Sequence, residues 1–195
     1  VDKIPELAES LINDNILFRF YSSSSDVEPG KGKGEKIPNE LSLKNSNKFT
    51  ALHQIKDWRK HLSNFWIEPF TYNNKKWASA EHYYQASKFK IEHPEFYNEF
   101  SLDSDSELSK NTTYAKFAGG KTGKFEGKLL RPKNIKIDSD FSERDNYEMF
   151  ISQYMKFTNN DTKSDYLKNS LLSTHDAKLM HIVLRSNDEF FENLV

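Results

Sequence analysis

Apolar positions recur along the chain at two spacings, and each spacing predicts a type of element. The aromatic run NILFRFYS at 15–22 predicts a strand, and an amphipathic stretch over 4–13 predicts a short helix before it. Two helices are predicted near the end of the chain, over 163–174 and 175–185. A longer helix is predicted from Ser142, because apolar residues recur there every three or four positions: Tyr147, Phe150, Ile151, Tyr154 and Phe157.

The central region alternates short extended pieces with helices. Asn73 and Asn74 separate PFTY from KKW, which predicts a hairpin. Ser79 is a good N-cap for a helix that runs to about residue 91, and Pro94 begins the next helix. A glycine-rich basic loop then precedes a predicted strand that ends in IKIDSDF.

Two polar, glycine-containing loops, 22–40 and 118–128, interrupt this pattern, and no internal repeat or clear linker is found. Long loops in a small domain are more often functional than not. The chain of 195 residues is therefore predicted to be a single mainly helical α+β domain with a few short strands, with residues 1–15 as an N-terminal helical extension.

Composition narrows the classes of function. The absence of cysteine excludes disulfides, thiolate zinc sites and a cysteine nucleophile, and fits a cytoplasmic or other reducing intracellular compartment. No apolar run reaches the ~18–20 residues of a membrane span, and the acidic start is unlike a signal peptide. The six histidines lack metal-ligand spacing, so neither a metal nor another cofactor is expected. A net charge of −1 excludes a polycationic nucleic-acid binder.

The segment WASAEHYYQASKFK at 77–90 has the densest chemistry. Glu81, Gln85 and Lys88 are spaced four and three residues apart, so a helix places them on one stripe that Tyr84 flanks. One interpretation is a solvated face with a Glu–Lys pattern. The other is the wall of a pocket for a flat polar ligand, with the aromatic residues of SNFW (63–66) nearby in sequence.

The glycine loop AGGKTGKFEGK at 118–128 is not a P-loop, since Ala115 stands where that motif needs its first glycine. Seven basic residues and one acid, Glu126, lie between 116 and 136. Exposed glycine N–H groups beside a lysine suit an anion, while a solvated basic loop explains the same composition. The loop PGKGKGE at 29–35 has the same two interpretations.

Several motifs occur in a characteristic order: FYSSSSDVEPGKG, HLSNFWIEPF, WASAEHYYQASKF, AGGKTGK, RPK…IDSDF and M…KF. Together they resemble the NADAR family, named for a predicted link to NAD and ADP-ribose, over roughly residues 16–185. The resemblance implies a mainly helical α+β fold and N-glycosidase activity. Some members remove ADP-ribose from guanine bases in nucleic acid, and others act on early riboflavin-pathway intermediates.

The resemblance also implies roles for individual residues. Glu81 is the expected acid–base group and Lys88 the expected amine nucleophile. Aromatic stacking is expected from Trp66, Trp77 and Tyr84, polar recognition from Asn64 and Gln85, and diphosphate binding from Gly119, Gly120, Lys121 and Arg144. The remaining expected ligand-binding residues are Tyr21, Ser22, Phe65 and His82.

One departure from the family pattern affects the first motif, which often reads Phe-Tyr-Ser-Lys-Ser. Here Ser23 replaces that lysine. Three functions stay open: hydrolysis of ADP-ribose from guanine in DNA or RNA, hydrolysis of a small nucleotide-like metabolite, and binding of ADP-ribose or NAD without turnover. In each case the partner is an ADP-ribose-like ligand, and no membrane is involved.

Overall fold

The structure is a computed structural model that describes residues 11–158, 165–182 and 189–190. Its strands are β1 (Asn13–Phe20), β2 (Phe70–Tyr72), β3 (Lys75–Trp77), β4 (Lys124–Phe125), β5 (Lys128–Leu129), β6 (Ala177–His181) and β7 (Glu189–Phe190). Its α-helices are α1 (Thr50–Gln54), α2 (Trp58–Leu62), α3 (Ala80–Ser87), α4 (Pro94–Asn98), α5 (Glu107–Lys110), α6 (Thr112–Ala118), α7 (Phe141–Thr158) and α8 (Tyr166–Leu172). The predicted mainly helical α+β class is confirmed.

The chain divides into two units, each with its own dense contacts. The first unit consists of residues 1–66 and 165–195, and the second of residues 67–164. The predicted single domain stays a prediction. The predicted N-terminal helix lies largely outside the described residues, and its last part is wrong, because β1 begins at Asn13.

The first unit is built on a three-stranded sheet in the order β1-β6-β7. Alternate side chains of β1, those of Ile16, Phe18 and Phe20, are fully buried, as a strand with one face on the core requires. β6 pairs in parallel with β1, with Leu179 beside Phe18. The predicted helix over 175–185 is therefore wrong within the described residues, which form a strand.

The loop at 29–35 folds around a carboxylate of its own. Glu35 accepts hydrogen bonds from the N–H groups of Gly30 and Gly32 at 3.1 and 3.0 Å. Arg59 binds the same carboxylate with two nitrogens, each at 2.7 Å, and the pair is buried. These backbone donors bind an internal anion, which supports the structural explanation of this loop over an external anion site.

The second unit confirms most of the local predictions for the middle of the chain. β2 and β3 pair antiparallel, and both turn residues, Asn73 and Asn74, have positive φ, as a type I′ hairpin requires. The side chain of Ser79 caps α3 as predicted. That helix ends at Ser87, earlier than predicted, and Pro94 begins α4 as predicted.

An aromatic core holds α3 in place within the second unit. The indole of Trp77 meets the rings of Tyr83 and Tyr97 at 5.3 and 5.2 Å between centroids. α3 contacts both α6 and α7. The predicted strand before residue 141 is wrong, because Ile135 and Ile137 pack against the core from a segment without strand pairing.

The long helix α7 is confirmed, but four of its five buried residues are polar. Three of its aromatic side chains, those of Tyr147, Phe150 and Tyr154, are 58%, 45% and 53% exposed. Its buried residues include Glu148, Ser152, Gln153 and Lys156. Buried polar groups of this kind are retained where they bind one another or a ligand. No described helix combines the length and apolarity that crossing a bilayer demands.

Candidate active site

The polar stripe of α3 faces the protein interior. Glu81 and Gln85 are each 7% exposed, and Gln85 donates from Nε2 to Glu81 Oε1 at 2.9 Å. Lys88 donates from Nζ to the carbonyl oxygen of Gly119 at 3.1 Å. Since Glu81 and Gln85 are buried, Lys88 is half-buried and all three are bonded within the protein, the interpretation of a solvated Glu–Lys face is wrong.

Burial shifts the pKa values of the acid and the amine in opposite directions. Desolvation raises the pKa of the Glu81 carboxyl, against the hydrogen bond from Gln85 and the charges of Lys116 and Lys88. Desolvation lowers the pKa of the Lys88 ammonium, against the charge of Glu81. Each shift acts toward the neutral form of its group, the form in which a carboxyl can donate a proton and an amine can attack as a nucleophile.

Aromatic rings surround the amine. Lys88 Nζ lies 5.1 Å from the centroid of Tyr84 and 5.7 Å from that of Phe141. The two rings are 5.9 Å apart and steeply inclined. Phe141, the first residue of α7, was not predicted as part of this group, since no local pattern places it beside α3.

The glycine loop contacts the stripe through a close approach. A Cβ on Gly119 would lie 2.0 Å from Gln85 Oε1, so only glycine leaves room for the amide there. The N–H groups of Gly119 and Gly120 donate to Ala115 and Phe117 carbonyls at 3.0 and 3.2 Å. The predicted use of these N–H groups for a diphosphate is therefore wrong, because they cap α6.

Arg131 is a residue that sequence reasoning missed. Its guanidinium donates to the carbonyl oxygens of Ala118 and Gly120, both at 2.9 Å, and to that of Lys121 at 3.2 Å. The available signal was its place in a basic stretch after a glycine loop, where several orphan carbonyls need donors. Arg131 holds the loop against the site, while the side chain of Lys121 is exposed.

Arg144 binds protein groups instead of facing an open ligand site. It donates to Asp138 at 2.6 Å, to Glu148 at 3.2 Å and to the carbonyl oxygen of Ser87 at 2.7 Å. Lys90 also pairs with Glu148. These bonds fix the end of α3 against α7, and the predicted ligand contact of Arg144 stays a prediction.

His82 and Trp77 lie in the core. His82 is fully buried with Nδ1 2.8 Å from Ser79 Oγ, and burial lowers the pKa of its imidazole to about 4. Trp77 is fully buried and donates from Nε1 to the Tyr72 carbonyl at 3.2 Å. Neither ring presents a face to a ligand in this structure, so their predicted contacts are corrected to packing roles.

Five predicted ligand-binding residues belong to the first unit: Tyr21, Ser22, Asn64, Phe65 and Trp66. Trp66 donates from Nε1 to the Tyr166 hydroxyl at 2.7 Å, and Asn64 is 9% exposed. Ser22 and Ser23 are exposed in the turn after β1, where Tyr21 N–H donates to Ser24 Oγ at 2.9 Å. That these residues share a ligand with α3 stays a prediction.

Lys156, also in the second unit, is a lysine with a fully buried side chain. It is 1% exposed, and desolvation holds the pKa of its ammonium well below the ordinary value, against the charge of Glu68. The signal in the sequence was a lysine one position from Phe157 inside the quoted M…KF motif. It is an alternative amine to Lys88.

The described residues contain no group of three or more histidine, aspartate or glutamate side chains arranged to hold a metal ion.

Comparison with known proteins assigns no family. No family model matches the chain, and no curated protein sequence does. Among solved structures, the NMR structure of the E. coli protein YbiA is similar, with 17% sequence identity and a TM-score of 0.45. The match covers 89% of this chain and 71% of that one. A likeness at this level indicates neither an activity nor a substrate.

Proposed function

We propose that this protein is an N-glycosidase that removes ADP-ribose from guanine bases in nucleic acid. The observation that supports it most is the pair of Glu81, buried on α3, and Lys88, half-buried directly after that helix. Desolvation raises the pKa of the Glu81 carboxyl and lowers that of the Lys88 ammonium. The sequence resemblance to NADAR proteins supplies the substrate class.

The proposed reaction uses Glu81 as the acid and Lys88 as the amine. As the bond between the sugar C1 and the base nitrogen breaks, protonated Glu81 gives its proton to the departing base. The neutral amine of Lys88 attacks C1 and forms a bond to it, and its surplus proton passes to the Glu81 carboxylate. Glu81 then gives this proton to the ring oxygen as the bond between C1 and that oxygen breaks, and a protonated imine forms between C1 and Lys88. Water adds to C1, with its proton taken up by Glu81, and expulsion of the amine releases the sugar and restores Lys88.

The surrounding residues position these groups. Gln85 holds the Glu81 carboxyl through a hydrogen bond, and its Oε1 is a buried acceptor without a hydrogen-bond partner among the described residues. A buried acceptor without a donor costs free energy of folding. An N–H group of the substrate base can donate to it. If the oxygen and nitrogen of the Gln85 amide exchange places, the protonated Glu81 carboxyl can donate to it instead. Gly119 and Arg131 keep the loop close enough for Lys88 to reach its carbonyl.

The test is incubation with an oligonucleotide that has ADP-ribose on a guanine, followed by mass analysis. We expect loss of the ADP-ribose mass with the wild-type protein. Glu81→Gln should lower the rate about 100-fold or more, because acid–base catalysis contributes about 10²–10⁴-fold. The control is Glu143→Gln, which changes an exposed acid of α7. Wild-type activity of Glu81→Gln at a normal melting temperature would remove Glu81 from the mechanism.

A further inference from the structure

The exposed side of α6 and the β4–β5 hairpin combines aromatic rings with lysines. Phe125 of β4 lies between two aromatic residues of α6, with its ring centroid 4.7 Å from that of Phe117 and 5.8 Å from that of Tyr114. Phe117 is 38% exposed, although it belongs to this cluster. An exposed ring supported from behind by other rings is a rigid surface on which a flat group can stack.

The charges beside this cluster are positive. Lys121 and Lys124 are exposed and form no ion pair with any described residue. Lys128 lies 4.8 Å from the centroid of Tyr114 and pairs with Glu107. The stretch 116–136 has seven basic residues against one acid, although the whole chain has a net charge of −1. The positive charge is therefore concentrated here and is not a property of the whole protein.

This surface adjoins the candidate active site within the second unit. Gly119, directly after α6, accepts the hydrogen bond of Lys88 and touches Gln85. Phe117 precedes that glycine by two residues, and Lys121 follows it by two. A chain that lies across α6 and the hairpin thus passes next to the loop that closes on the α3 stripe.

We propose that the surface of α6 and the β4–β5 hairpin binds a single-stranded polynucleotide, with Phe117 stacked on a base and Lys121 and Lys124 on backbone phosphates. Stacking and phosphate contacts together are the usual means of binding single strands without reading their sequence. An acidic peptide would use the lysines but gain little from the exposed ring. The role of the surface, to present a modified guanine to α3, rests on the proposed function.

The test uses unmodified labelled oligonucleotides and fluorescence anisotropy over a range of salt concentrations. DNA and RNA single strands, with a duplex of the same sequence, form the three arms. We expect the wild-type protein to bind single strands more tightly than the duplex. Phe117→Ala should weaken single-strand binding about tenfold, within the range measured for one stacked base. The double variant Lys121→Glu/Lys124→Glu loses two phosphate contacts. The slope of log binding constant against log salt concentration should therefore become less steep by about 1.4, because each contact with a single strand contributes about 0.7.

Matched controls separate this surface from general effects. Tyr154→Ala removes another exposed aromatic ring that contacts a neighbouring ring, and Lys44→Glu/Lys168→Glu makes the same change in net charge in the first unit. Both should bind as the wild type does. Three results would overturn the proposal. The first is an equal loss of affinity in a variant and its control, and the second is an equal affinity for duplex and single strand with no effect of Phe117→Ala. The third is no binding of oligonucleotides by the wild-type protein.

The chemistry is tested separately with free ADP-ribosyl guanosine, which has no flanking strand. If the protein cleaves it but binds no oligonucleotide, the surface proposal fails and the proposed reaction stands. If oligonucleotides bind with the predicted variant pattern but nothing is cleaved, the surface stands and the proposed reaction fails.

Discussion

At the scale of the residue, His82 shows how a group that suggests catalysis can be structural. Its position in the first turn of a polar helix makes it a plausible ligand contact in the sequence. In the structure, its ring is fully buried beside the Ser79 cap, and Nε2 has no hydrogen-bond partner among the described residues. Burial disfavours the protonated imidazole, so the residue links stability to pH.

We expect the free energy of unfolding to fall as the pH is lowered from about 6.5 to about 4. The unfolded chain takes up a proton at His82 in this window, while burial holds the folded pKa at about 4. A depressed pKa therefore stabilises the protein above about pH 6.5, and this contribution, about 3 kcal/mol, is lost as the pH falls through the folded pKa.

Urea unfolding at several pH values measures this dependence. His82→Gln should lack this part of the pH dependence, whatever its stability at pH 7. His53→Gln, which changes an exposed histidine of α1, should keep the wild-type dependence. A His82→Gln protein with the full wild-type decrease would show that other groups account for it.

Spacing predicted that three polar side chains of the candidate site lie together, while the roles of Glu81 and Lys88 came from the family resemblance and stay predictions. Glu81, Gln85 and Lys88 had to share a stripe once α3 formed, and the structure confirms that they do. What spacing could not predict was which residues surround the stripe. Phe141 and Arg131 reach it from distant segments, and no local pattern in the sequence encodes such contacts.

At the scale of the element, α3 and the glycine loop depend on each other. Gly119 is required for its small size, because Gln85 occupies the space of a Cβ. We expect Gly119→Ala to displace Gln85 from Glu81 and to slow turnover about 100-fold, the order of effect of a 1 Å misplacement.

Gly120→Ala is the matched control for this substitution. Its Cβ would lie 3.3 Å from the nearest atoms, so the loop needs only a small adjustment. Turnover of both variants on the ADP-ribosylated oligonucleotide, with their melting temperatures, decides the question. Equal turnover of the two would mean that the position of Gln85 does not matter for the reaction.

The contact of α3 with α7 depends on the cluster around Arg144. We expect Arg144→Met to destabilise the protein by about 3 kcal/mol, because it removes the positive charge that pairs with the buried Asp138 and Glu148 carboxylates. Lys110→Met removes an exposed pair with Asp105 and should change stability little. Urea unfolding at pH 7 compares the two, and similar midpoints would mean that Lys90, the Tyr83 hydroxyl and backbone donors suffice for these carboxylates.

Elements defined by local signals were predicted well, and those defined by distant pairing were not. The hairpin at Asn73 and Asn74, the Ser79 cap and the start of α4 at Pro94 each depend on a few adjacent residues. β6 was predicted as a helix, because the run AKLMHIV fits either periodicity. Its strand state comes from parallel pairing with β1, far away in the chain.

At the scale of the whole molecule, the burial of polar residues in α7 explains why this part of the protein was hard to interpret from its sequence. Three of its aromatic residues, Tyr147, Phe150 and Tyr154, are exposed, while Glu148 and Lys156 are buried. A helix that buries its polar side violates the usual pattern, and such violations are expected where a structure serves chemistry. The second buried amine, Lys156, is accordingly the strongest rival to Lys88.

The central claim, that the α3 stripe performs amine and acid catalysis, is tested most directly by reductive trapping. The protein is incubated with the ADP-ribosylated oligonucleotide and cyanoborohydride, and the modified peptide is then mapped by mass. We expect a sugar adduct on Lys88 that is absent from Lys88→Met and retained in Lys44→Met. An adduct on Lys156, or full cleavage of the substrate by Lys88→Met, would contradict the account.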